Sequence, residues 1–146
     1  MNSLADELAR RVKALGFSHV FRFLPYQDND VLKYSLSVPD VHWISLRPEL
    51  EGLIVPSKFY GIAAAGRPII AITARDGEIA RIVESENCGV TIEPGNSDAL
   101  ADTITRLSSD AEMTAAMAWR ARAMLDAKFT RRRAFARWKD VLDRIE

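Results

Sequence analysis

The chain has 146 residues, 48% of them hydrophobic, enough for one domain with a packed core. Lysine plus arginine and aspartate plus glutamate balance at 20 each, which excludes a global field that would recruit nucleic acid or anionic lipid. The single cysteine, Cys88, excludes an internal disulfide and fits a reducing compartment, and no apolar run reaches the ~20 residues of a membrane span, so a soluble, cytoplasmic chain is expected.

The opening MNSLADELARR is amphipathic and mixed in charge, unlike a signal peptide. Ser3 is expected to cap a first helix whose apolar residues Leu4, Leu8, Val12 and Leu15 repeat at helical spacing, with Gly16 as its stop. Residues 19–23 (HVFRF) alternate and are rich in β-formers, which predicts a strand followed by a turn over 24–27. A short helix over about 30–36 and a second strand over 41–46 (VHWISL) follow, separated by the helix-breaking Pro39.

Residues 51–71 (EGLIVPSKFYGIAAAGRPIIA) organise the rest. Pro56 and Ser57 open a short helix, because proline tolerates a helix start and a serine hydroxyl accepts an orphan backbone N–H. Gly66 and Pro68 close it. The free N–H groups at its start, together with the Lys58 ammonium, suit a phosphate. Residues 68–72 (PIIAI) then form a continuous apolar run, as in a strand covered on both faces.

Asp76 is expected to cap a helix carrying Ile79, Ile82 and Val83, and 89–92 (GVTI) to form a fourth strand. Ser97 caps the next helix, with Leu100, Ile104 and Leu107 along one side, and 109–112 (SDAE) is a capping box for the one after it. Met113, Met117 and Met124 are read as packing residues. Thr130 caps a last helix whose inward stripe is Phe135, Trp138 and Leu142. From Ala118 onward nine basic residues (Arg120, Arg122, Lys128, Arg131, Arg132, Arg133, Arg137, Lys139, Arg144) face four acidic ones (Asp126, Asp140, Asp143, Glu146).

Strands alternating with helices and then helices alone imply an α/β fold: a parallel sheet of about four strands between helices, with a helical C-terminal extension. Ligands in such folds sit beyond the carboxyl ends of the strands. That edge is expected to be built from three loops, 24–27, 45–57 and 73–78. No GxGxxG follows a strand, which argues against a dinucleotide-binding domain, and no acidic cluster supports a response-regulator-like receiver.

The order FLPYQ, then DVHWISLRPELEGLIVPSKFYGIAAAGRPIIA, then DGEIARIVESENCGVTIEPGNSDALADTI, resembles the C-terminal, donor-binding domain of glycosyltransferase family 4. These are retaining nucleotide-sugar transferases of the GT-B fold, built from two Rossmann-like domains. Members from polysaccharide and lipopolysaccharide synthesis carry the same Pro-Ser-Lys. The resemblance implies that residues 1–146 are a single Rossmann-like donor domain. It places Gly52, Leu53, Ile54, Ser57 and Lys58 around the donor's diphosphate, Glu51 against the donor sugar, and Pro25 and Tyr26 at the nucleotide base. The family's second glutamate, which binds the ribose, falls at Gly61 and has no carboxylate here. No catalytic residue, metal or cofactor is implied within the chain; the nucleotide diphosphosugar, of UDP or GDP type, is a substrate. The family's N-terminal acceptor domain and the opening strands of its C-terminal domain have no match in the sequence. Either 19–23 pairs directly with 41–46, or a partner chain supplies the missing strands, since an unpaired apolar strand edge invites aggregation.

Each assignment has a plainer rival. Lys58 is otherwise a solvated charge, Glu51 a loop carboxylate, Glu78 a helix-start carboxylate, His42 a core or edge histidine, and Cys88 a small buried hydrophobe rather than a nucleophile. Gly61, Ala63, Ala64 and Ala65 let the helix sit close on the sheet whatever the ligand. Arg131, Arg132 and Arg133 are a solvated helix start, or a surface for another domain or an anionic membrane. Two functions stand: a nucleotide-sugar-binding domain of a transferase, inactive as an isolated chain, or a non-catalytic interaction module derived from one.

Overall fold

In the computed structural model, which describes residues 4–145, short β-branched runs form the centre and helices cover it. Strands β1 (His42–Ser45), β2 (Ile69–Ile72) and β3 (Gly89–Ile92) pair in parallel in the order β1-β2-β3. The register sets His42 beside Ile69 and Ile69 beside Gly89. Around them lie α1 (Leu4–Ala14), α2 (Asn29–Ser37), α3 (Lys58–Ala64), α4 (Glu78–Ser85), α5 (Ser97–Ser109), α6 (Ala111–Lys128) and α7 (Arg131–Leu142).

The continuous apolar run at β2 is the middle strand, buried from both sides as its lack of alternation predicts. Ile69 and Ala71 pack with Ile44, Phe59 and Ile62 and with Val83 of α4, whereas Ile70 packs with Ile92 and Leu107 on the opposite face. Both crossover helices, α3 and α4, therefore cover one face, as right-handed connections along a sheet that advances in one direction require. α6 joins both clusters: Met113 and Met117 belong to the second and Ala121 and Met124 to the first. It passes the turn before β2, where the space beside Gly66 is bounded by Ala118 and Arg122. Arg122 Nη1 donates to the Ala64 carbonyl at 2.8 Å, closing the C-terminus of α3.

Two glycines are required by the backbone. Gly66 ends α3 at φ +63°, with its amide donating to Ala63 at 3.0 Å, the left-handed C-terminal turn expected of it. At Gly89 a Cβ would overlap the backbone of Ile69, so β3 starts on glycine because it approaches β2 too closely for any side chain.

The expected strand over 19–23 does not form, and the described sheet has three strands rather than about four. The amides of Val20 and Phe21 donate to the carbonyl of Phe17 at 2.9 and 3.3 Å, so local turns consume groups that a ladder would need. Direct pairing of 19–23 with β1 is thereby overturned; β2 is the only strand paired with β1 among the described residues.

Several caps move by one residue. Ser57 makes no side-chain cap bond, because its φ of −58° and ψ of −26° are helical and carry the hydroxyl away from the following amides. Gly77 rather than Asp76 precedes α4, Asn96 rather than Ser97 caps α5 through the Ala99 amide at 3.0 Å, and Asp110 rather than Ser109 caps α6 through Met113 at 2.8 Å. Thr130 caps α7 as expected, through Arg133 at 3.4 Å. Ser3 lies outside the described residues.

Two amphipathic stripes find no partner surface. Of the α1 stripe only Val12 is buried, while Leu4 and Leu15 are exposed. α7 buries none of its residues, and Phe135, Trp138 and Leu142 face solvent. The sheet's faces are already covered by α3 to α6, which leaves these helices at the margin.

Candidate functional site

The loops leaving β1 and β2 meet at the carboxyl ends of the strands. After β1 the chain makes a 3₁₀ turn, Pro48–Leu50, started by proline and closed by the Glu51 amide donating to Pro48 at 3.1 Å. Gly52, at φ +76°, reverses the chain toward Pro56. After β2 comes Thr73, only 1% exposed, whose amide continues the ladder by donating to the Ile92 carbonyl at 3.0 Å. Its hydroxyl donates to Glu51 Oε1, so a rigid strand end holds the carboxylate of the neighbouring loop. Neither Thr73 nor Gly77, which faces the same carboxylate, was picked out by the sequence; the signal is a hydroxyl placed immediately after a buried strand and a glycine opening the next helix.

Beside this contact lies a cavity of about 550 Å³ lined by Glu51, Gly52, Asp76, Gly77, Glu78 and Arg81. Arg81 folds back along α4, donating from Nε and Nη2 to the Asp76 carbonyl at 3.0 and 2.6 Å. Carboxylates outnumber the one guanidinium, so the cavity offers acceptors to a polyhydroxyl ligand. Tyr60 of α3 has its phenol pKa raised, first by burial and then by the charge of Glu78. Among the described residues no three His, Cys, Asp or Glu side chains converge to hold a metal ion.

The residues expected around a diphosphate divide into two groups. The amides of Leu53 and Ile54 donate to the Leu50 carbonyl at 3.1 and 3.2 Å and are occupied. Those of Gly52, Ser57 and Lys58 make no protein hydrogen bond among the described residues. Lys58 is exposed on the first turn of α3 with no ion pair among the described residues. Pro25 and Tyr26, expected at a nucleotide base, are exposed and do not line the cavity; Tyr26 is 91% exposed. With 19–23 not a strand, the loop after it is not a strand tip. Gly61 packs under α2, where an added Cβ would lie 3.2 Å from Leu36 Cδ1, so a large side chain there would displace that helix.

Other singled-out residues have local partners. His42 Nε2 bonds the Leu36 carbonyl at 2.8 Å, tying α2 to the sheet edge. Cys88 is fully buried, and burial pushes its thiol pKa up to about 11. A second cavity of about 650 Å³ lies at the amino-terminal side of β1 and β2, with Asp40, Val41, Arg67 and Ile70 among its walls. It is at the wrong end of the strands for the usual ligand position of a parallel sheet.

Comparison with known proteins narrows what this arrangement serves. The sequence matches the model of the glycosyl transferases group 1 family over residues 2–110, 109 of its 146 residues. It is 35% identical over 74 residues to the probable glycosyltransferase WbjE of Pseudomonas aeruginosa, a stretch covering 51% of this chain and 18% of WbjE. The fold is similar to the crystal structure of Anabaena HepE in complex with UDP-glucose, with a TM-score of 0.68 and 23% identity, covering 86% of this chain and 32% of HepE. The chain thus spans less than a fifth of the curated relative's length and about a third of the solved one's.

Proposed function

Because this chain belongs to the glycosyl transferases of group 1, we propose that residues 1–146 act as the donor domain of a retaining GT-B enzyme. The domain binds a nucleotide diphosphosugar of UDP or GDP type, for polysaccharide or glycolipid synthesis in the cytoplasm. One observation carries the reading: at the carboxyl end of the sheet Gly52 lines the cavity that holds the Glu51 carboxylate, and its amide, those of Ser57 and Lys58 at the start of α3 and the Lys58 ammonium have no partner among the described residues. The amides and the ammonium match an anionic diphosphate, and the carboxylate matches sugar hydroxyls. UDP-glucose in HepE, a protein of similar fold, supports a ligand of this class.

In the transfer reaction the bond between sugar and diphosphate breaks, and negative charge grows on the departing phosphate oxygen. Preorganised amides and an ammonium aimed at that oxygen stabilise it. Activation of the acceptor belongs to a separate acceptor-binding domain, on this polypeptide or on another. Residues 1–146 alone therefore bind donor without turning it over.

Calorimetric titration of the chain with UDP, GDP and their hexose conjugates tests this. Binding of one nucleotide series is expected, and silence toward all of them overturns it. The exposed apolar face of α7 favours a second reading, an interaction module that docks on another protein. That reading is the one left standing if the titrations are silent.

A further inference from the structure

Gly77 is not a glycine for the sake of its backbone. Its φ of −68° and ψ of 158° are open to any residue. What excludes a side chain first is Glu51: a Cβ on Gly77 would overlap Cδ, Oε1 and Oε2 of that carboxylate, the three atoms nearest to it. Thr73 fixes the same carboxylate from the other direction through its hydroxyl. Thr73 is buried and its amide donates to Ile92, so the oxygen that donates to Glu51 is held immediately past the end of β2.

From this geometry we propose that Thr73 and Gly77 are positioning residues for the donor sugar: together they fix the Glu51 carboxylate at the head of α4, with Oε1 accepting from Thr73 and Oε2 left to accept a sugar hydroxyl. The inference rests on the donor-domain reading above and deepens it. Oε2 makes no hydrogen bond among the described residues, and an ionised carboxylate accepts several. A carboxylate on a flexible loop would lose side-chain and loop freedom on meeting a ligand. One clamped between a buried hydroxyl and a bare Cα has already lost it, and preorganisation raises affinity by that amount. The sugar moiety, not the nucleotide, is what these two residues serve.

The test compares a nucleoside diphosphate with its sugar conjugate on the same chain: UDP with UDP-glucose, and GDP with GDP-mannose. Thr73→Val keeps the shape and removes the hydroxyl, and Thr73→Ser restores it. Gly77→Ala displaces only the far end of a flexible side chain and leaves the backbone unstrained. In Thr73→Val and Gly77→Ala the affinity for the sugar conjugate is expected to fall about tenfold, the scale of one hydrogen bond to a charged group, with the nucleoside diphosphate unaffected. Thr73→Ser should bind as the parent does. A purely structural tie between the two loops would weaken both ligands equally, and that outcome, or no loss at all, overturns the positioning role. If the parent chain binds UDP and UDP-glucose equally well, this inference alone falls; if it binds none of the four ligands, the donor-domain reading falls with it.

Discussion

Replacing Lys58 with alanine separates binding from folding more cleanly than any other change at the site. The ammonium is exposed, has no ion pair among the described residues, and sits on the first turn of α3. A cation at that end of a helix opposes the unpaired N–H groups and costs about 0.3–1 kcal/mol. Lys58→Ala should therefore leave the melting temperature unchanged or raise it slightly. Against a bound diphosphate the sign reverses. Two unit charges ~4 Å apart interact by about 1 kcal/mol in water and about 4 kcal/mol at an effective dielectric of 20. An exposed lysine lies toward the lower limit, and the multiple charge of the diphosphate brings the loss to about 1–2 kcal/mol, or roughly tenfold in Kd. Because the Debye length shrinks from about 10 Å at 0.1 M salt to about 3 Å at 1 M, the gap between parent and variant should narrow as salt is added. Titration calorimetry with UDP and GDP at low and high salt, beside a thermal melt, reads all three quantities. An unchanged Kd, or a loss of affinity that tracks a loss of melting temperature, would refute the assignment of Lys58 to the diphosphate.

Gly89→Ala forces a methyl into the Ile69 backbone and should destabilise the fold by about 3 kcal/mol, read as a lower urea midpoint; a shift below about 1 kcal/mol would contradict the close approach of β3 to β2. Cys88 should resist thiol reagents at pH 8 until the chain unfolds, since burial, with a smaller contribution from Glu86, raises its pKa from 9.0 to about 11. The folded thiol keeps its proton to higher pH than the unfolded one, so its contribution to stability is full below pH 9 and is lost as pH rises toward 11. Denaturation midpoints measured across that range should fall for the parent and level off for Cys88→Ala. Trp138→Ala should change stability by no more than about 0.5 kcal/mol, because Trp138 is 66% exposed and α7 buries nothing. A large loss would place Trp138 in a core.

The elements that could be read from sequence are those with short-range causes. Gly16 and Gly66 stop α1 and α3 at positive φ, Thr130 caps α7, and the unbroken PIIAI run is the doubly covered strand. Each depends on a few neighbouring residues. The strand expected at 19–23 failed for the complementary reason: alternation describes which side chains could line a sheet, but a strand exists only where a partner backbone is present, and here turns around Phe17 took the amides first. The stripes of α1 and α7 were legible as patterns, and only the packed structure decided that no surface remained to receive them.

At the site the division is the same. Sequence order alone carried the resemblance to sugar-nucleotide transferases and singled out Glu51, Lys58 and the glycine of the loop between them. It could not distinguish the amides of Gly52, Ser57 and Lys58, which have no partner among the described residues, from those of Leu53 and Ile54, which are bound to Leu50. Nor could it join Glu51 to Thr73 and Gly77, because residues more than 20 positions apart become neighbours only when parallel strands bring two loop ends to one edge. Composition and local pattern determined which residues could do chemistry; the sheet decided which of them meet, since a hydrogen bond and an excluded Cβ are facts about distance and not about order.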